Sequence, residues 1–429
     1  MEPRGLWVER VLLVGCLLFV SMNIAVAGIR PDDPQTLKRT KSLGDMIAAT
    51  TRSPVHIVYV HGMRADGTGA STAFQAGLCK YVEGLCPAGK DQGQPDRTYL
   101  DIGPRPAATY LDQPIWRSDD EWKGSRPFVD RYVFKRKDAE PIVIDEVNWW
   151  PLLFPVKCRM ILVQETDLSG ADKTHIKLCA RSDAPYYPWL NQQELNDALG
   201  HKPTSGGGAW ANAFIKQQIM NWGLADAAMA LGPLRAYFRR TMNLAFGRAA
   251  HFDDKDIDHQ EFVVISESLG SFVVLDAFNN LFEDAPVAEQ VGLRTMDLYF
   301  FANQFALLQL GRIDGVPTRT EGGPGFVTPI TGASPIDLLK RWAQAVRGGG
   351  KLEGELRPKQ ILAFSDPSDI LTYRVPKLRD TNGNDIALVV NLYDRNEWNW
   401  FGLFAVPTTA HTGHSSNADV LRQMFRRSQ

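Results

Sequence analysis

The segment that most constrains this chain is Glu261-Phe-Val-Val-Ile265, which runs directly into Ser266-Glu-Ser-Leu-Gly-Ser271. The first five residues form a short, almost wholly apolar run, which predicts a buried strand of an α/β sheet. Behind the small-residue turn, Phe272, Leu275, Phe278, Leu281 and Phe282 recur at helical spacing. A buried strand, a tight turn and a helix in immediate succession hold Ser268 above the sheet. The helix N-terminus then lies beneath it, where developing negative charge is favoured. A turn this sharp needs small residues two before and two after Ser268, and Ser266 and Gly270 occupy those positions.

On these residues the chain resembles the α/β-hydrolase superfamily of serine hydrolases, whose nucleophile elbow reads Gly-x-Ser-x-Gly. Ser266 at the first small position departs from that pattern. Three further segments follow the family order. Val55-His-Ile-Val-Tyr-Val60 predicts a strand ending in His61-Gly62-Met63. The resemblance implies that this loop supplies one oxyanion amide, from Met63, and that Leu269 supplies the other. His61 is then a loop-shaping residue. Lys359-Gln-Ile-Leu-Ala-Phe364 predicts another strand, leading into Ser365-Asp-Pro-Ser-Asp-Ile-Leu371. The family places its carboxylate there, which points to Asp369, with Asp366 holding the turn; the reverse assignment stays open. Only His411 and His414 follow Ser268 in the chain. Both lie behind the strand-like Phe401-Gly-Leu-Phe-Ala-Val406, and a base near the C-terminus fits the order Ser, Asp, His. His411 is favoured, with His414 as the alternative.

The resemblance covers 55–90 and 255–420 in outline. The implied fold is a mostly parallel sheet flanked by helices, in one domain over 28–429 with a large insertion or cap at about 90–255. Within that insertion, 88–125 reads as irregular loop, while Tyr132-Val-Phe134 and Ile142–Trp150 read as strands, the second joining the main sheet. The cluster Trp149-Trp150-Pro-Leu-Leu-Phe154 reads as core, or as the lining of an acyl pocket. Residues 209–250 predict helix broken at Gly232-Pro233, either an ordinary packing pair or a lid or membrane-facing surface, with Arg239 and Arg240 on its solvated face. Met296–Ala302 predicts a strand whose end, Asn303-Gln304, reaches a ligand or makes a turn. Residues 28–53 read as a polar N-terminal arm.

Arg4 and Arg10 precede an apolar run over 11–22, and Ala25-Val-Ala27 offers a small-x-small cleavage site. This predicts a signal peptide over 1–27, or an uncleaved anchor, and export to a periplasmic or extracellular space. Without Cys16, four of the five cysteines remain. Cys158 and Cys179 flank a turn-rich segment and are expected to pair across a hairpin, leaving Cys79 and Cys86 to close a short loop. A net charge of -2 gives no electrostatic case for nucleic acid, and no cysteine has company at zinc spacing.

The expected activity is therefore cleavage of a carboxylic ester, of lipid or another hydrophobic acyl group, with no cofactor or metal. Ser268 would attack, His411 carry the proton and Asp369 orient the ring. Two other readings use the same fold: an acyltransferase with the same triad, and a catalytically silent envelope or binding protein.

Overall fold

The computed structural model describes residues 28–63, 69–86, 94–110, 112–162, 224–232, 234–252, 261–278, 291–309, 334–345, 358–396 and 407–427. The strands are β1 (Arg30–Pro31), β2 (Val55–Val60), β3 (Asp96–Tyr99), β4 (Thr109–Tyr110), β5 (Gln113–Pro114), β6 (Phe128–Arg136), β7 (Ala139–Asn148), β8 (Glu261–Glu267), β9 (Thr295–Phe301), β10 (Gln360–Ser365) and β11 (Leu388–Tyr393). The helices are α1 (Pro34–Arg39), α2 (Leu43–Ala49), α3 (Thr72–Tyr81), α4 (Asp119–Gly124), α5 (Phe154–Lys157), α6 (Ala225–Leu231), α7 (Arg235–Ala250), α8 (Gly270–Phe278), α9 (Phe305–Gln309), α10 (Pro335–Gln344), α11 (Pro407–Thr412) and α12 (Ala418–Phe425).

Nine strands form one sheet in the order β1-β11-β10-β9-β8-β2-β7-β6-β3. From β11 through β7 every neighbouring pair is parallel; β1 at one edge and β6 and β3 at the other run antiparallel. Strand alternation sends Val58, Val60, Phe262, Val264, Leu298 and Phe300 to one face and Ile57, Tyr59, Val263, Ile265, Tyr299 and Phe301 to the other. Each face is covered, which is why β2, β8 and β10 read as continuous apolar runs. Residues of α7, α8 and α10 join the first face, and residues of α2, α3 and α12 the second.

After β2 the chain moves outward to β7, then returns past β2 to lay β8 on its other side. The sheet order thus reverses between β2 and β8. A crevice opens beyond the carboxyl ends of strands at such a reversal, and ligands of open α/β sheets bind there.

Several sequence expectations change. Residues 28–53 are not a free arm, since β1, α1 and α2 lie there and bury Leu37, Leu43, Met46 and Ile47. Within 90–255, β7 pairs with β2 as expected of Ile142–Trp150, whereas 88–125 is not all loop, since β3, β4, β5 and α4 lie there and β3 joins the sheet through β6. Arg239 is not solvated: with Arg235 it grips the buried Asp276 of α8, at 2.6 Å from Nε of Arg239. Arg240 is exposed. Trp149, Leu152, Leu153 and Phe154 are core. Residues 1–27, 163–223 and 397–406 lie outside the described residues, and with them the signal or anchor, the start of the 209–250 helices and the strand expected at 401–406. The last parallel strand described is β11, whose run Leu388-Val-Val390 the sequence reading passed over. Among the described residues, no helix is long and apolar enough to cross a membrane. Cys79 and Cys86 are disulfide-bonded, and Cys158 also lies in a disulfide, while Cys179 is outside the described residues.

Candidate active site

The turn between β8 and α8 is built by interlocking backbones. Ser268 takes a left-handed φ of 51°, and its N–H donates to Phe301 O of β9 at 2.7 Å. A non-glycine residue held there stores about 1–3 kcal/mol of strain, which the surroundings must impose. They do so by close approach. A Cβ on Gly270 would lie 2.6 Å from His61 O and 2.7 Å from Val60 O, and one on Gly62 would lie 2.7 Å from Ser268 Cβ. The two glycines let the turns after β2 and β8 press together. Ser266 is tolerated because its Oγ finds Ser271 Oγ at 3.0 Å, so the buried hydroxyl is satisfied.

The structure brings Ser268, His411 and Asp369 into one hydrogen-bonded line. Ser268 Oγ donates to His411 Nε2 at 2.8 Å, and His411 Nδ1 donates to Asp369 Oδ2 at 2.7 Å. The carboxylate only accepts, which places the imidazole proton on Nδ1 and leaves Nε2 to receive the serine proton. Asp369 Oδ1 accepts from Leu371 N at 2.9 Å, and Oδ2 also accepts the Thr372 hydroxyl. Burial pushes the Asp369 carboxyl up, but the His411 hydrogen bond and charge, with Thr372 and Leu371, outweigh it and hold the group below its ordinary value. Asp366 instead accepts from Ser368 N and Asn396 N, both at 2.7 Å, and so shapes the loop.

His414 is not at Ser268. It is buried, stacked on Phe301, and donates from Nδ1 to Asp394 Oδ2 at 2.9 Å. Desolvation lowers its pKa, yet the facing carboxylates Asp394, Asp369 and Asp366 more than offset this and raise it.

Met63 and Leu269 lie on the two interlocked turns, and among the described residues neither amide has an acceptor. His61 fixes the Met63 turn. Trp149 N donates to His61 Nε2 at 3.3 Å, so the ring proton sits on Nδ1 and bonds Gly62 O at 2.8 Å. Trp149 also stacks on the ring at 4.4 Å and donates from Nε1 to His61 O. Burial holds the His61 pKa down at about 4, so the ring is neutral.

Sequence reasoning missed the polar groups on the far side of the elbow. Glu267 is half-buried and accepts the Tyr59 hydroxyl. Desolvation raises its carboxyl against the opposing Tyr59 bond and the charges of His414 and His411. Glu146 of β7 caps α3, accepting from the amides of Gly69, Ala70 and Ser71. The alternation of β2 and β7 placed Tyr59 and Glu146 on the sheet, but gave no signal of a partner. Among the described residues, no cluster of three or more His, Cys, Asp or Glu could hold a metal. Comparison with protein-family profiles gives no match, and no curated protein matches either.

Proposed function

We propose that this chain is a serine hydrolase of the α/β-hydrolase type that cleaves carboxylic esters through an acyl-enzyme. The observation that carries the proposal is the run Ser268–His411–Asp369, with hydrogen bonds of 2.8 and 2.7 Å, at the carboxyl ends of parallel strands beside a sheet reversal. Ser268 attacks the ester carbonyl while His411 Nε2 takes its proton; the C–O bond breaks, and the same proton passes to the leaving alcohol. A water molecule then repeats the sequence on the acyl-serine. Asp369, kept ionised, stabilises the imidazolium of both steps. The amides of Met63 and Leu269, without an acceptor among the described residues, are suited to the oxyanion.

An apolar acyl group is the favoured substrate portion, since Ile370 and Tyr373, exposed by 57% and 42%, flank the loop that carries Asp369. Export accords with the Cys79–Cys86 disulfide.

The test is labelling with a fluorophosphonate probe, together with p-nitrophenyl ester turnover across acyl lengths. Ser268→Ala is expected to abolish labelling. Both Ser268→Ala and His411→Ala should lower kcat by at least about 10⁴-fold. His414→Ala should retain labelling, with lower stability. A folded wild type that neither labels nor turns over any ester removes the proposal. Competing alcohols added to the assay separate hydrolysis from acyl transfer.

A further inference from the structure

Gln304 stands beside this site and has no role in the mechanism above. The bond from Ser268 N to Phe301 O puts the end of β9 against the elbow. Ala302 then turns the chain with a left-handed φ of 50°. Asn303 has partners for both side-chain atoms: Nδ2 donates to Tyr373 O at 2.9 Å and Oδ1 accepts from Phe305 N at 3.4 Å, while its backbone carbonyl accepts from Tyr373 N at 3.3 Å. These bonds tie the end of β9 to the loop bearing Asp369. Gln304 follows, immediately before α9, and its carbonyl accepts from Leu308 N at 2.9 Å. It is 1% exposed, yet among the described residues neither Oε1 nor Nε2 has a partner.

Neighbouring amides treated so differently call for a physical reason. A buried polar group left unmet costs about 1–3 kcal/mol, and folded proteins leave few of them. A second such group lies on the next strand. Ser365 ends β10, and its hydroxyl is buried and unpartnered among the described residues. The bond from Ala302 N to Phe364 O, 3.0 Å, joins the two strand ends. Two unmet, uncharged groups thus lie at the carboxyl ends of adjacent strands, and the first of these strands is bonded to the elbow.

We infer that Gln304 is a specificity-determining residue whose carboxamide hydrogen-bonds a neutral polar group of the substrate, of the amide or hydroxyl class. The carboxamide offers both donors and an acceptor, which a group that donates and accepts can match. A bare alkyl chain would leave it unmet. An ion there would lose its water without a counter-charge from Gln304 or Ser365. The preferred ester therefore carries an apolar chain interrupted by a polar group. This inference rests on the serine-hydrolase reading.

Two p-nitrophenyl esters of equal chain length test it, the hexanoate and the N-acetyl-β-alaninate, with wild type, Gln304→Met and Gln304→Leu. Wild type is expected to favour the amide-bearing ester in kcat/KM by tenfold or more. Both variants should lose that preference at least about tenfold and keep the wild-type rate of fluorophosphonate labelling. Removing an unmet amide should also raise the thermal midpoint of Gln304→Met, whereas a structural role would lower it. Unchanged selectivity in variants that label normally overturns the inference alone. Absence of both labelling and turnover in wild type overturns the hydrolase reading, and this inference with it.

Discussion

Lys359 shows how burial bears on a cation that has no ion pair among the described residues. Its amine is buried, lies over Trp342 and donates to Gly292 O at 3.1 Å and Trp342 O at 2.9 Å. Desolvation lowers its pKa from 10.5 to about 7. A neutral amine has two N–H donors, and two carbonyls receive them. The folded state binds fewer protons than the unfolded chain between pH 7 and 10.5, so stability rises with pH across that window and is lowest below it. The full difference is on the order of 5 kcal/mol. Chemical denaturation at pH 6.5 and 9.5 should show this rise in wild type and its loss in Lys359→Met. At this scale the sequence was most legible where chain order constrains chemistry: Ser268, Asp369 and His411 meet as their order implied. Gln304 was legible only as a polar strand end, because an unmet buried amide is a fact of packing that no spacing encodes.

Among elements, the pressed turns after β2 and β8 are the most exacting. Gly270→Ala would drive a methyl into the carbonyls of His61 and Val60, and Gly62→Ala would drive one into Ser268. Both sets of contacts involve atoms that cannot swing aside. Each variant should lose about 1–3 kcal/mol of stability and, on the proposed function, at least about 10²-fold in esterase kcat, read by urea denaturation and p-nitrophenyl ester turnover. The strands β2, β8 and β10 were readable because sheets covered on both faces demand continuous apolar runs. β11 was less so, as Asn391 interrupts it, binding Asp32 and Val375. The short helices α1 and α2, of six and seven residues, are too brief to show a helical period, and their cues were caps instead. Asp33 precedes Pro34 and accepts from Gln35 and Thr36, while Ser42 and Asp45 form a capping box. Helical periodicity placed Arg239 on a face; only the tertiary fold brought Asp276 to it.

For the molecule as a whole, buried neutral histidines set the response to acid. His56 lies against Phe252 and Phe262 with both ring nitrogens unpartnered among the described residues. Desolvation, and then the Arg131 charge, lower its pKa from 6.5 to about 3, and His61 lies at about 4. As pH falls below 6.5 the unfolded chain takes up protons that these rings refuse, so stability is lost on the way to pH 4. His56 alone accounts for about 3 kcal/mol by pH 4. His414 acts oppositely, since its raised pKa adds stability on the acid side. Thermal midpoints at pH 7 and 4.5 should fall less in His56→Phe than in wild type. The same global view explains how the far ends of the chain are joined. Leu421 of α12 packs over Gly77, Phe425 O closes on Gly44, and Arg426 O accepts the Ser42 hydroxyl. The serine, carboxylate and base arrive from residues 268, 369 and 411, the last only just before α12. A ribosome that has delivered Ser268 has made a nucleophile with no base to arm it. On the proposed function, a cell synthesising this hydrolase carries an inert nascent polypeptide, disarmed until His411 has been added to it.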